Sequence, residues 1–170
     1  FSIKLADLKP IGDISWPNYI LGSAVQFIKS GVKLPGFNAV LTSDVPMGAG
    51  LSSSAAVECA TVFALNELLQ TGFDRLTMVQ MAQQAEHEFV GVMCGIMDQF
   101  ASMMGKKDHV IKLDCRSLEY EYVPFKLEGI KVLLLNTNVR HSLASSEYNT
   151  RRKECETAVK WVSEHVQGVN

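Results

Sequence analysis

Apolar residues in this chain fall into stretches of helical spacing separated by shorter, denser runs. Residues 14–29 place Trp16, Tyr19, Ile20, Val25, Phe27 and Ile28 on a loose helical stripe. Ser15 is the expected N-cap, Pro17 suits the first turn, and Gly31 ends the element. Residues 52–69 are rich in Ala, Leu, Val and Glu and predict a long, largely buried helix. A third helix is expected from a cap at Asp74 or Thr77 to about Val90, with Gly91 and Gly95 breaking it. A last helix, charged on one side, starts at Ser145 or Ser146 and runs to about His165. Residues 37–45 have strand character between Gly36 and Pro46, and residues 109–113 and 120–123 look like short strands. Residues 131–136 contain the run Val-Leu-Leu-Leu, which reads as a buried strand. Helices mixed with scattered strands argue for an α+β or α/β domain.

Composition narrows the function classes. The 170 residues suit one compact domain, or one domain with part of a second. The hydrophobic share of 47% and charged share of 20% are ordinary for a globular enzyme. A net charge of −2 gives no reason to expect nucleic acid or an anionic membrane as partner. No apolar run approaches a membrane span, and no basic-apolar signal segment opens the chain. Cys59, Cys94, Cys115 and Cys155 form no CxxC pair and have no histidine at zinc-ligand spacing, so reduced thiols in a cytoplasmic setting are expected. Phe1 is not an initiator Met, which suggests a processed chain or a piece of a longer one.

The stretch SDVPMGAGLSSSAA, residues 43–56, sets two glycines and three consecutive serines between a predicted strand and a predicted helix. A helix start carries unpaired N–H groups and the positive end of the peptide dipole. Glycines let that backbone approach a ligand closely, and serine hydroxyls add hydrogen bonds or a magnesium ligand, so the stretch suits a phosphate group. It is not a Walker loop, which ends in Gly-Lys-Ser/Thr, nor a G-x-G-x-x-G fingerprint, because Ser53 holds the third position. The plainer alternative is a Ser-capped helix behind a glycine turn.

The full string Pro46-x-Gly48-x-Gly50-Leu51-Ser52-Ser53-Ser54-Ala55-Ala56 resembles the second signature of the GHMP kinases, in the form carried by their galactokinase branch. Two further segments match that branch. Cys94-Gly95-Ile96-Met97-Asp98-Gln99-Phe100 is similar to the segment that supplies the catalytic aspartate. Residues 136–152, NTNVRHSLASSEYNTRR, match through Asn-Val-Arg-His-Ser-Leu and Ser-Glu-Tyr followed by Arg-Arg. The helix with Trp16, Asn18, Tyr19 and Gly22 also resembles a family helix and is expected to be structural, its Trp and Tyr packing under the sheet.

The resemblance implies roles. Pro46, Gly48, Ala49, Gly50, Leu51, Ser52, Ser53 and Ser54 would line the ATP phosphates. Asp98 would be catalytic, facing the sugar hydroxyl that attacks ATP; a carboxylate is a weak base at neutral pH, so alignment counts as much as proton abstraction. Gly95 and Tyr148 would bind galactose, with Arg140 and His141 lining or supporting the site. Glu86, twelve residues before Asp98, would join Ser54 as a Mg²⁺ ligand. Read without the resemblance, Asp98 is a helix cap after a glycine break, and Glu86 an exposed helix charge beside His87.

The implied fold is α+β: the GHMP kinase N-terminal domain over residues 1–136, similar to ribosomal protein S5 domain 2 with a left-handed βαβ crossover, followed by the start of the C-terminal domain over residues 137–170. The implied reaction transfers the γ-phosphate of ATP to the 1-hydroxyl of galactose. Kinase action on N-acetylgalactosamine and a non-catalytic galactose- and ATP-binding regulator are the alternatives. A third reading is a purely structural α/β domain. The family's first signature, Gly-Arg-x-Asn-x-Ile-Gly-Glu-His-Thr-Asp, and its C-terminal Gly-x-Gly-Phe-Gly-Gly loop do not occur among these residues. An internal piece of a longer, monomeric enzyme is therefore expected. Such a piece would be inactive alone and prone to self-association.

Overall fold

The helices α1 (Pro17–Lys29), α2 (Ser53–Leu69), α3 (Arg75–Ala85) and α4 (Met97–Met104) pack on one another around a main apolar core, beside a smaller cluster of Tyr19, Val90 and Val92. The computed structural model describes residues 1–12, 16–135 and 145–166. Ala24 and Phe27 from α1, Cys59, Val62 and Leu65 from α2, Met78, Val79 and Ala82 from α3, and Phe100, Met103 and Met104 from α4 fill that core. Strands β1 (His109–Leu113) and β2 (Tyr120–Pro124) form an antiparallel hairpin in which Ile111 pairs with Tyr122. The hairpin closes over the helices through Ile111, Leu113 and Leu118, with the Tyr120 ring 5.2 Å from that of Phe100. Helix α5 (Ser145–His165) follows, and a short 3-10 turn occupies Leu5–Asp7.

Local chemistry explains the helix limits. Asp74 caps α3, its carboxylate accepting the Thr77 N–H at 2.7 Å. After Ala85 the helix widens into a π-helical turn, Glu86–Val90, which Gly91 ends with a φ of 77°. Gly22 lets α1 approach this region closely. A Cβ there would stand 2.9 Å from the Ala85 carbonyl oxygen and 2.9 Å from Phe89 Cβ. Asn18 is buried beside it, exchanging hydrogen bonds with the backbone N–H and C=O of Ile11.

Several expectations need correction. Helix α1 starts at Pro17 with Trp16 at the N-cap; the expected cap, Ser15, lies outside the described residues. Trp16 is 57% exposed rather than packed under a sheet, and Ile28 is exposed too, because the buried stripe runs through Tyr19, Leu21, Ala24 and Phe27. Residues 37–45 form no strand and leave Val40 98% exposed. Residues 131–135 form none either, and Val132, Leu133, Leu134 and Leu135 are all exposed. A strand exists only through a partner, and among the described residues neither segment has one. The one sheet described is the β1–β2 hairpin, so the βαβ crossover is not among the described elements.

Beneath the helices lies a polar centre. Glu58 on α2 is fully buried and Glu86 is 4% exposed. Between them, Nε2 of the fully buried Gln99 donates to Glu58 Oε2 at 3.1 Å and to Glu86 Oε2 at 2.8 Å. Burial, reinforced by the Glu86 charge, pushes the Glu58 carboxyl from its ordinary 4.5 up to about 10. Burial raises Glu86 as well.

Two outcomes are expected. The folded chain keeps a proton on Glu58 that the unfolded chain has released, so this group's stabilisation is complete below the unfolded value of 4.5 and is lost as pH rises toward about 10. Urea unfolding across that window should show stability falling with pH, by up to about 1.4 kcal/mol per unit from this group. Glu58→Gln should flatten that slope, and equal slopes in the two chains would contradict the assignment. Separately, the exposed run at 132–135 should make the 170-residue chain associate in a concentration-dependent way in analytical ultracentrifugation.

Candidate functional site

The loop before α2 departs from ordinary backbone at every second residue. Gly48 and Gly50 both have φ of 71°, and Ser52 has φ of 54°. No side chain or backbone crowds either glycine, so their conformation and not space demands glycine. Ser52 adopts the left-handed region without that freedom, a strain of the kind that recurs at functional sites. Pro46, Met47, Gly48, Gly50 and Leu51 are exposed, and Ala49, Ser52, Ser53 and Ser54 half-buried.

Ser52 occupies the N-cap position of α2 but makes no capping bond. Its hydroxyl donates instead to Asp98 Oδ2 at 2.8 Å, across 46 residues of sequence. This sets aside the Ser-capped-helix reading. Among the described residues, no backbone N–H from Gly48 to Ala55 donates to a protein acceptor, and the first amide of the ladder is Ala56, bonded to the Ser52 carbonyl. The helix start therefore offers a row of unspent donors and its positive dipole end beside a carboxylate.

Asp98 lies in the first turn of α4, half-buried, with Ile96 at the N-cap, so it is not the cap of its own helix. The segment before it is fixed from α3 and the π-helical turn. The Cys94 carbonyl accepts from Gln83 Nε2 at 3.2 Å and lies 2.9 Å from His87 Nε2. Gly95 follows with nothing within 4 Å of where a Cβ would sit, leaving its backbone open to a ligand.

Glu86 is not the exposed charge that its helix position alone suggests; it is buried, and two side chains bind it. Cys94 Sγ lies 3.2 Å and Gln99 Nε2 2.8 Å from its Oε2, and the nearby Ser54 hydroxyl, with them, opposes the upward push of burial on its pKa. Burial and the Glu86 charge in turn push the Tyr19 phenol up to about 12 and the Cys94 thiol well above the ordinary range. Ser54 and Glu86, expected together from residues 32 apart in sequence, thus do meet. Their two hard oxygen donors suit Mg²⁺, which takes few protein ligands and completes its shell with phosphate and water. Among the described residues, no group of three or more His, Cys, Asp or Glu side chains could hold a metal without such help.

Tyr148 is 52% exposed on α5. Its neighbour Asn149 fastens that helix to the loop before Gly95, accepting the Met93 N–H and donating to the Gly91 carbonyl, both at 2.9 Å. Arg140 and His141 lie outside the described residues. The sequence reading gave no role to Glu58, Gln99 or Asn149. For Glu58 a signal existed: it stands one turn after Ser54 on the same face of a helix otherwise rich in Ala, Val and Leu. Gln99 and Asn149 each sit next to a residue that was singled out, but nothing local marks them.

Comparison with known proteins identifies relatives of this chain. Residues 18–106 match the family described as GHMP kinases N terminal domain. The galactokinase of Thermotoga petrophila is 52% identical over 145 residues, covering 85% of this chain and 41% of that protein. The human galactokinase is 49% identical over 149 residues, covering 88% of this chain and 38% of that protein. A crystal structure of Lactococcus lactis galactokinase complexed with galactose superposes with a TM-score of 0.84 at 33% identity, covering 97% of this chain and 43% of that one. The chain thus spans about two-fifths of the length of the curated relatives it matches. With the family match covering more than half its residues and the same fold in a solved relative, this chain belongs to the GHMP kinase family, as a homologue of the galactokinases.

Proposed function

We propose that these residues supply the nucleotide loop and the catalytic carboxylate of a galactokinase, which transfers the γ-phosphoryl group of ATP to the 1-hydroxyl of galactose. The Ser52–Asp98 hydrogen bond carries this reading, because it joins the carboxylate directly to a helix start whose amides are unspent. The solved galactokinase complexed with galactose favours that sugar as acceptor. Residues 1–136 form the N-terminal domain in this reading and residues 137–170 begin the C-terminal one. Four free thiols fit a cytoplasmic setting, and no helix among the described residues is long and apolar enough to cross a membrane.

Each residue has a physical task. The amides of Gly48 to Ala55, with the loop Pro46, Gly48, Ala49, Gly50, Leu51, Ser52 and Ser53 around them, receive phosphate oxygens. Ser54 and Glu86 offer oxygen to Mg²⁺, which when bound neutralises charge on the transferring phosphoryl group. Asp98 accepts, or at least orients, the proton of the sugar hydroxyl; the Ser52 hydroxyl holds that carboxylate in place. The Gly95 backbone and the Tyr148 hydroxyl give the sugar directional polar contacts.

Asp98→Asn keeps an acceptor for Ser52 and removes only the charge. In the full-length protein it should lower kcat by about 10²- to 10⁴-fold while MgATP still binds. Unchanged turnover in a coupled assay would refute the role. The 170-residue chain alone should yield no galactose 1-phosphate above a no-protein control, since it spans only 41% of its relative's length. Product above that control would show that the remaining chain is dispensable.

A further inference from the structure

The tasks above leave Glu58 and Gln99 without employment, although both are fully buried. Gln99 uses its single NH₂ group on two carboxyl groups at once, Glu86 at 2.8 Å and Glu58 at 3.1 Å. The remaining oxygens, Glu58 Oε1 and Gln99 Oε1, are buried with no hydrogen-bond partner among the described residues. A core arranged for stability alone would avoid this, since buried polar atoms left without partners cost free energy that well-packed apolar side chains would not. What the arrangement does provide is direction. A planar amide sends its two N–H bonds out at a fixed angle, so anchoring one on Glu58 fixes where the other points.

The second bond ends on Glu86 Oε2, the oxygen that also takes the Cys94 thiol. Glu86 is thereby held by Cys94 in the loop and Gln99 on α4, beside Ser54 of α2. Gln99 directly follows Asp98, so the same turn of α4 carries the proposed catalytic carboxylate and the amide that aims the proposed metal ligand. We infer that Glu58 and Gln99 are positioning residues, a bracket that holds the Glu86 carboxylate against Ser54 and ties its placement to that of Asp98. The function of Glu86 rests on the kinase reading; the bracket itself rests on the hydrogen bonds.

Gln99→Met keeps length and apolar bulk and removes the N–H donors. In the full-length protein with ADP, Mn²⁺ binding followed by electron paramagnetic resonance should weaken roughly ten-fold or more, the usual effect of losing a residue that orients a metal ligand. Metal-free ADP binding should not change, and the melting temperature should not fall in proportion. Glu58→Met, which removes the anchor of the amide, should weaken Mn²⁺ in the same direction and serves if Gln99→Met does not fold. Wild-type Mn²⁺ affinity in a folded Gln99→Met or Glu58→Met protein would overturn the bracket. Failure of the unaltered protein to bind Mn²⁺ with ADP would instead overturn the kinase reading, and the bracket's purpose with it.

Discussion

The hydrogen bond from Ser52 to Asp98 is the constraint on which the site depends. A serine at a helix start ordinarily caps its own helix. Here the hydroxyl is committed to a carboxylate on α4, and α2 begins uncapped. One bond therefore does two things: it leaves the first amides of α2 open, and it keeps a negative group next to them. The left-handed conformation of Ser52 and the positive φ of Gly48 and Gly50 are the backbone's share of the same arrangement. A helix start that satisfied itself locally would be more stable and less able to receive an anion.

Below this contact the core changes character. The apolar cluster of α1 to α4 gives way, between α2, the π-helical turn and α4, to Glu58, Gln99 and Glu86. Glu86 continues the buried face of α3, one helical turn after Ala82, and so points inward where the helix widens into the π-helical turn. Polar groups this deep reduce stability and increase directional order. The three elements that meet there are the ones carrying Ser54, Glu86 and Asp98.

What the sequence made legible was local. Helix ends at Asp74, Leu69 and His165 follow from caps and periodicity within a few residues, and the hairpin strands at 109–113 and 120–123 pair across a short turn. The segments at 37–45 and 131–135 misled because an apolar, β-branched run looks the same whether or not a neighbouring strand exists to pair with it. The match of three motifs brought Ser54, Glu86 and Asp98 forward as a set. It could not bring forward Glu58 and Gln99, whose meaning lies in a contact 41 residues long that leaves no spacing pattern. Trp16 was misplaced for a related reason: a large aromatic invites burial, yet the helix turns it outward.

Gly22 has a mechanical consequence for the placement of Glu86. Ala85 is the last residue of α3 and Glu86 the first of the turn that follows, so the clearance between α1 and Ala85 sets how deep Glu86 begins. With 2.9 Å from a notional Cβ to the Ala85 oxygen, even a methyl group would act as a shim and tilt that carboxylate off its seat. Helix α1, which offers no atom to nucleotide or sugar in this reading, thus serves as the spacer that sets where the Glu86 turn begins.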